Sequence, residues 1–414
     1  MDTGDTAWLL VSSALVLFMT PGLAFFYGGM VRAKNTLGML MKNYVAMGIV
    51  TVTWVLVGYT LAFGPDMGGG FLGGLDYLGL NGVATSIEGE KGAIHGLTVP
   101  DALFMLFQMM FAIITPALIS GAIAERVKFT TWAVFVALWS IIVYAPMAHW
   151  VWMPDGFIFK LGALDFAGGT VVHINAGAAA LAMVLVIGPR LGFRKEIIRP
   201  HSLPLTLLGA GILWFGWFGF NAGSALAANG IAVNAFMTTQ IAAAVAGMAW
   251  IMAEQVMHGK ATTLGFASGA VAGLVAITPG AGFVGPMGAI AIGLAAGVVC
   301  FAALQIKFMF NFDDALDVIA VHLVGGILGS LLVGVFAQTS VNPAVTSQGL
   351  LFGGGVTLLV NQAIAVVVAL VFSFVVSFVL LKLLDATMGL RVSAADEQRG
   401  LDLVLHEEQS YVME

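Results

Sequence analysis

The chain has 414 residues, of which 60% are hydrophobic and only 9% charged. A soluble domain carries roughly 25% charged residues, so this composition excludes a soluble enzyme, a nucleic-acid binder and a disordered protein; its 16 Lys and Arg are also too few for a phosphate-tracking surface. An integral membrane protein with short water-facing loops is left.

A helical span needs about 20 apolar residues. Eleven such stretches follow in chain order: about 7–31, 42–64, 99–124, 130–150, 168–188, 203–223, 233–257, 262–279, 284–304, 315–337 and 350–384. The first begins beside Asp2 and Asp5 with no basic leader, and reads as a true helix rather than a signal peptide. The third carries Phe107 and Phe111, four apart and so on one helix face. The fourth ends near Trp150 and Trp152. Asp165 precedes the fifth, which holds His173. Trp217, Phe218 and Phe220 crowd the end of the sixth, followed by Ser224. Gly265, Gly269 and Gly273 make a small-residue row in the eighth, and Gly293 with Gly297 another in the ninth; such rows let helices pack closely. Asp313, Asp314 and Asp317 precede the tenth and read as capping, dipole-compensating residues. The eleventh is long enough to tilt strongly or to project beyond the bilayer.

Charge sets the orientation. With the N-terminus outside, fourteen of the 16 Lys and Arg fall inside, from Arg32 and Lys34 to Arg391 and Arg399; only Lys91 and Lys160 fall outside. The positive-inside rule then gives N-out, C-in and an odd number of spans.

An internal repeat accompanies that topology. Asp165 stands eight residues before His173, and Asp314 eight before His322. Each His follows a Val, and each has a Gly four residues later, Gly177 and Gly326. Five spans separate the copies, so they run in opposite directions. This is an inverted 5+5 repeat plus a long eleventh helix, an all-α polytopic membrane fold whose substrate path lies between the halves.

Polar groups within spans are candidates for function. Symmetry gives His173 and His322 equivalent places, and two neutral imidazoles can share one hydrogen bond. Two His without carboxylate or thiolate neighbours fall short of a metal site. Cys300, the one cysteine, allows neither an intrachain disulfide nor a thiolate metal site. His95, His149, His201, His258 and His406 fall in loops or at helix ends, where solvation or capping suffices. The outer ends of spans three, four and six bring together an aromatic cup, which holds a small cation by cation–π attraction. Asp165 either caps the fifth helix or adds negative potential to that cup.

These residues resemble a known family. Asp165-Phe-Ala-Gly-Gly-Thr-Val-Val-His-Ile-Asn-Ala-Gly177 strongly resembles the signature of the ammonium transporter (Amt/Mep/Rh) family. So do Phe107-Gln-Met-Met-Phe111, Ala124-Glu-Arg126, Trp214 through Ser224, and Asp313-Asp314 through His322. The resemblance covers Trp8 to Leu403 and is to the Amt branch. It implies a homotrimer with one pore per subunit in the cell's plasma membrane, no cofactor and no enzymatic activity. By position it implies that His173 and His322 are twin pore histidines with Trp217 beside them, and that Phe111 and Phe220 form a stacked gate. It likewise implies that Trp152, Phe107 and Ser224 form an outer ammonium site supported by Asp165. Residues 1–385 would be the transmembrane domain, with repeat halves of about 7–188 and 203–337. Residues 386–414 would be a cytoplasmic tail whose Gly400-Leu401-Asp402 resembles a binding region for a P-II signalling protein; His406-Glu-Glu-Gln-Ser-Tyr411 departs from that pattern.

Energetics favour one mechanism for such a pore. Moving an ammonium-sized ion into an apolar medium costs of order 20 kcal/mol in the idealised limit, and several after relaxation. Deprotonating a Lys-like ammonium at pH 7 costs only roughly 4.6 kcal/mol. Ammonia with a separately relayed proton is the cheaper cargo, and sodium and potassium, having no proton to shed, are rejected. A sensor would carry a long signalling domain, and an intramembrane enzyme a nucleophile or third ligand beside the histidines; neither is found in the sequence.

Overall fold

The computed structural model describes residues 1–83 and 94–411. Within them every regular element is helical, with three isolated bridges besides. The principal helices are α1 Thr3–Met30, α2 Ala33–Phe63, α3 Asp101–Ile119, α4 Phe129–Leu161, α5 Gly169–Ile187, α6 Leu203–Gly223, α7 Gly230–His258, α8 Thr263–Ile277, α9 Pro286–Met309, α10 Ile319–Phe336 and α11 Thr357–Met388. Ten of these described helices are long and apolar enough to cross a membrane. The remaining one, α8, has 15 residues and is prolonged only by turns over 278–283. Two tail helices follow, α12 Ala394–Arg399 and α13 Leu401–His406.

Several ends differ from the sequence reading for local reasons. α11 starts at Thr357 rather than near 350, because Gly353 and Gly355 take left-handed φ of 85° and 65° after a short turn at Leu350–Phe352. Its 32 residues rise about 48 Å, well beyond the roughly 30 Å hydrocarbon core. α2 starts before residue 42 because the tail supplies its cap: the Asp402 carboxylate accepts the Leu37 and Gly38 amides at 3.0 and 2.8 Å. α4 breaks at Met153 and resumes for one turn at Phe157–Leu161. Lys91, counted among the outer charges, lies outside the described residues.

The bundle has two chemically distinct ends. Trp152, Phe107 and Ser224 meet at one; Arg32, Glu125, Arg190 and Asp313 meet at the other. α3 and α5 run from the aromatic end to the charged end, since α5 finishes where Arg126 Nε donates to the Gly188 carbonyl at 2.9 Å. α10 runs the opposite way, starting beside Ala122, whose carbonyl accepts the Ala315 amide at 3.1 Å. Two glycines let α5 and α10 cross at close range. A Cβ on Gly177 would lie 2.6 Å from the Leu323 backbone nitrogen, and one on Gly326 3.1 Å from the Cβ of His173. These are the glycines four residues past each histidine. α1 lies along α6 in the same manner, with Gly209 against Phe26 and Gly216 against Met19.

Candidate functional site

Each histidine sits in a widened π-helical turn, Gly169–Ile174 for His173 and Ile319–Val324 for His322. Wide turns of this kind cluster at functional places because they re-aim side chains out of the regular helix. Each turn is capped by the carboxylate eight residues before its histidine. Asp165 accepts the amides of Gly168, Gly169 and Thr170 at 2.8, 2.6 and 2.7 Å, with the Thr170 hydroxyl as well. Asp314 accepts those of Val318 and Ile319 at 3.1 and 2.7 Å. Asp165 thus makes the contacts of a helix cap, and its charge stays with it. Its backbone carbonyl accepts the Trp152 indole N–H at 3.0 Å, which ties the cup to the start of α5.

The two imidazoles meet Nδ1 to Nδ1 at 3.2 Å, buried, with ring centres 5.3 Å apart. One Nδ1 must donate and the other accept, so the pair cannot carry two protons on those atoms. Nε2 of His173 is buried with no hydrogen-bond partner. Around the pair is a space of about 10 Å³, room for a single water-sized sphere. It is lined by Trp217 and Phe220 and by apolar groups such as Leu23, Ile114 and Val271. The Trp217 indole donates to Thr278 Oγ1 at 2.9 Å, which fixes the ring against His173 at 5.5 Å.

Above this space lies a cavity of about 440 Å³. Phe107, Phe111, Trp152 and Ser224 line it together. Phe111 and Phe220 separate the cavity from the histidine space, their centroids 4.3 Å apart and their planes 37° from parallel. A file of rings therefore runs from Trp152 to Phe111 at 5.8 Å, Phe220 at 4.3 Å, His173 at 6.1 Å and His322 at 5.3 Å. Two aromatics suspected from sequence lie elsewhere. Trp150 packs on Phe372 at 4.3 Å and donates to the Phe71 carbonyl, and Phe218 stacks on Phe236 at 3.9 Å.

At the charged end, Arg190 grips the Asp313 carboxylate at 2.8 and 2.9 Å. Burial alone would raise the Asp313 carboxyl, but the Arg190 hydrogen bonds and the Arg126 charge hold it below its ordinary range. Glu125 is likewise lowered against burial by Arg32 and Arg190. Asp314 is pushed up to about 7 by burial and by the neighbouring Asp317 charge. The tail closes over this end: Glu397 takes Arg391 at 2.6 Å and the Leu191 amide at 2.6 Å, and the Tyr411 hydroxyl meets His201 at 3.0 Å.

His95 and Gln108 are among the members of the cavity wall that sequence reasoning missed. His95, assigned to a solvated loop, packs on Phe104 at 4.7 Å with Nε2 3.2 Å from the Tyr59 hydroxyl. Burial pushes its imidazole down to about 4. Gln108 lines the same cavity and is buried. Gln108 was legible as the neighbour of Phe107; nothing in the spacing of His95 pointed inward.

A bundle with ten helices long and apolar enough to cross a membrane, and an aromatic-lined cavity at one end, describes a multi-pass membrane protein, and the family it matches is one of transporters rather than enzymes. Residues 7–411 match the Ammonium Transporter Family. The chain is 51% identical to an ammonium transporter of Mycobacterium bovis over 99% of its own length and 90% of that protein's. It is 49% identical to ammonium transporter Amt1 of Archaeoglobus fulgidus, covering 99% of this chain and 100% of that one. Its fold matches the crystal structure of Saccharomyces cerevisiae Mep2 with a TM-score of 0.88 at 36% identity, over 96% of this chain and 89% of that one. The chain belongs to the Ammonium Transporter Family.

Proposed function

We propose that this chain recruits ammonium at the cup formed by Trp152, Phe107 and Ser224, deprotonates it with the proton passing to the histidine relay, and passes ammonia between the halves of an inverted repeat. Phe111 and Phe220 form the gate. Trp217, His173 and His322 line the path, and the histidine pair relays the proton separately. Asp165 acts through its cap, holding both Trp152 and the His173 turn in place. The observation that carries this reading is the ring file ending on an Nδ1–Nδ1 contact of 3.2 Å inside a space of about 10 Å³. So tight and apolar a space offers an ion no replacement for its water, whereas a neutral molecule enters at little cost.

The same reading takes eleven spans, N-out and C-in, in a plasma-membrane homotrimer. The meeting of Arg32, Arg126, Arg190 and Arg391 at the tail end of the bundle supports that orientation. Residues 1–385 then form the membrane domain and 386–414 a cytoplasmic tail. The docking of α13 on the start of α2 offers a folded inner surface to a P-II protein.

The test is ion selectivity in proteoliposomes. Replacing the pair with His173→Asp and His322→Glu supplies counter-charge and admits water, so potassium current should appear in the double variant and be absent from wild type. A double variant that still rejects potassium refutes the reading.

A further inference from the structure

The eleventh helix stands outside the inverted repeat, so symmetry assigns it no part. Most of its side chains are apolar, and Ser373, fully buried, is an exception. A buried helical serine ordinarily donates back to the carbonyl four residues before it. Ser373 donates instead to Oδ1 of Asn175 on α5, at 2.6 Å.

Asn175 lies two residues past His173 and is fully buried. It follows directly on the widened turn Gly169–Ile174. In a regular α-helix its backbone amide would bond the Val171 carbonyl. Here that amide reaches the carbonyls of Thr170 and Val172, and Val171 loses its α-helical partner. The Asn175 side chain makes up the loss, for its Nδ2 donates to the Val171 carbonyl at 3.1 Å. A carbonyl can only accept, so the amide has one orientation, and Oδ1 is the atom left for Ser373. The turn of His322 has Val324 at the matching place, so this stitch belongs to the His173 half.

Helix geometry says what the stitch prevents. Closing a π-turn to the α spacing shifts the register by one residue, about 100° around the axis. Beyond the turn α5 has no room to take up that rotation, because Gly177 is pressed against the Leu323 backbone. The rotation would fall on His173 and swing its ring off His322.

We propose that Asn175 is a positioning residue: its side chain holds open the turn that aims His173 at His322, and Ser373 of α11 holds Asn175. The consequence for transport rests on the reading of the pair as part of the path.

The experiment compares Asn175→Val with Asn175→Thr in the full chain. The two side chains have nearly the same shape, and Val is what the other half carries. Thr adds a hydroxyl able to donate to the carbonyl four residues back, that of Val171. One readout is the shared Nδ1 proton of the pair, by proton–nitrogen NMR of histidine-labelled protein, assigned by its loss in His322→Ala. The other is labelled methylammonium uptake into proteoliposomes per amount of folded protein. Asn175→Val should lose the shared-proton signal and lower the maximal rate about fivefold or more, the factor for one stranded buried carbonyl. Half-saturation should stay unchanged, because the cup is untouched. Asn175→Thr should keep signal and rate near wild type, and Ser373→Ala should weaken both by less than Asn175→Val. If Asn175→Val keeps the signal, or Asn175→Thr behaves like Asn175→Val, the Asn175 assignment is overturned while the path stands. If Asn175→Val loses the signal yet carries wild-type uptake, the pair's place in the path is overturned while the hold on the turn stands. If Asn175→Val does not fold, Ser373→Ala decides: a weakened signal supports the assignment, and wild-type signal and rate overturn it. A wild type without the shared-proton signal overturns the pair itself.

Discussion

Asp165 carries two sequence readings, a helix cap and a source of negative potential for the cup, and the structure shows the contacts of the first. Its Oδ1 accepts the amides of Gly168 and Gly169, and its Oδ2 those of Thr170 and Val171 together with the Thr170 hydroxyl. Asp165→Ala strands those donors at a helix start beneath the cup. A lost cap alone costs about 0.5–2 kcal/mol, and a hydrogen bond to a charged group contributes about 1.5–3 kcal/mol. Because the donors share one carboxylate, their losses do not add, and we expect a destabilisation of about 3–5 kcal/mol. Asp165→Asn cannot rescue it, since the new amide NH₂ would face either the Oδ1 donors or the Oδ2 donors. Both variants should therefore unfold at clearly lower temperature in detergent and lose uptake together. The result that refutes this reasoning is Asp165→Asn with wild-type thermal stability and only a weakened half-saturation for ammonium. That pattern would make the carboxylate a source of potential and not a cap.

Two further outcomes follow from the site. Phe220→Ala joins the cavity of about 440 Å³ to the histidine space, so osmotic water permeability of proteoliposomes, read by stopped-flow light scattering, should rise; unchanged permeability would rule out Phe220 as part of the seal. His95 is held down to about 4 by burial, below the ordinary imidazole value of about 6.5. A released His95 takes up a proton below about pH 6.5 while the packed one does not, so its packing is fully favourable above that pH and weakens by about 1.36 kcal/mol per unit as pH falls toward 4. Amide exchange over residues 94–98, corrected for intrinsic rate, should show less protection at pH 5 than at pH 7, and His95→Phe should abolish the difference; equal protection in wild type would refute it.

Much of the bundle was legible because a membrane span writes itself as an unbroken apolar run. The Asp165–His173–Gly177 and Asp314–His322–Gly326 spacings were equally legible, and the paired caps and crossing glycines show what that spacing is for. The widened turns were not, because a π-turn inserts no residue type of its own. α8 reads as a span over 262–279, and the helix ends at Ile277, ahead of Thr278, Pro279 and Gly280. The early start of α2 depends on Asp402, over 360 positions away, and no local pattern reports such a partner. Trp150 and Trp152 looked alike in sequence, yet two residues on a helix are about 200° apart, and only Trp152 faces the cavity.

The matched placement of the two caps and two histidines bears on direction of flow. In its caps and imidazoles the proposed path is matched about its midpoint: a carboxylate-held turn, an imidazole, then its counterpart reversed, although Trp217 and Phe220 stack on the His173 side. Such a centre contains no ratchet and no one-way step. Under the proposed function, net movement across it follows the electrochemical gradient, and any rectification has to be built at the mouths, where an aromatic basin faces one side and an ionic lattice under the tail faces the other.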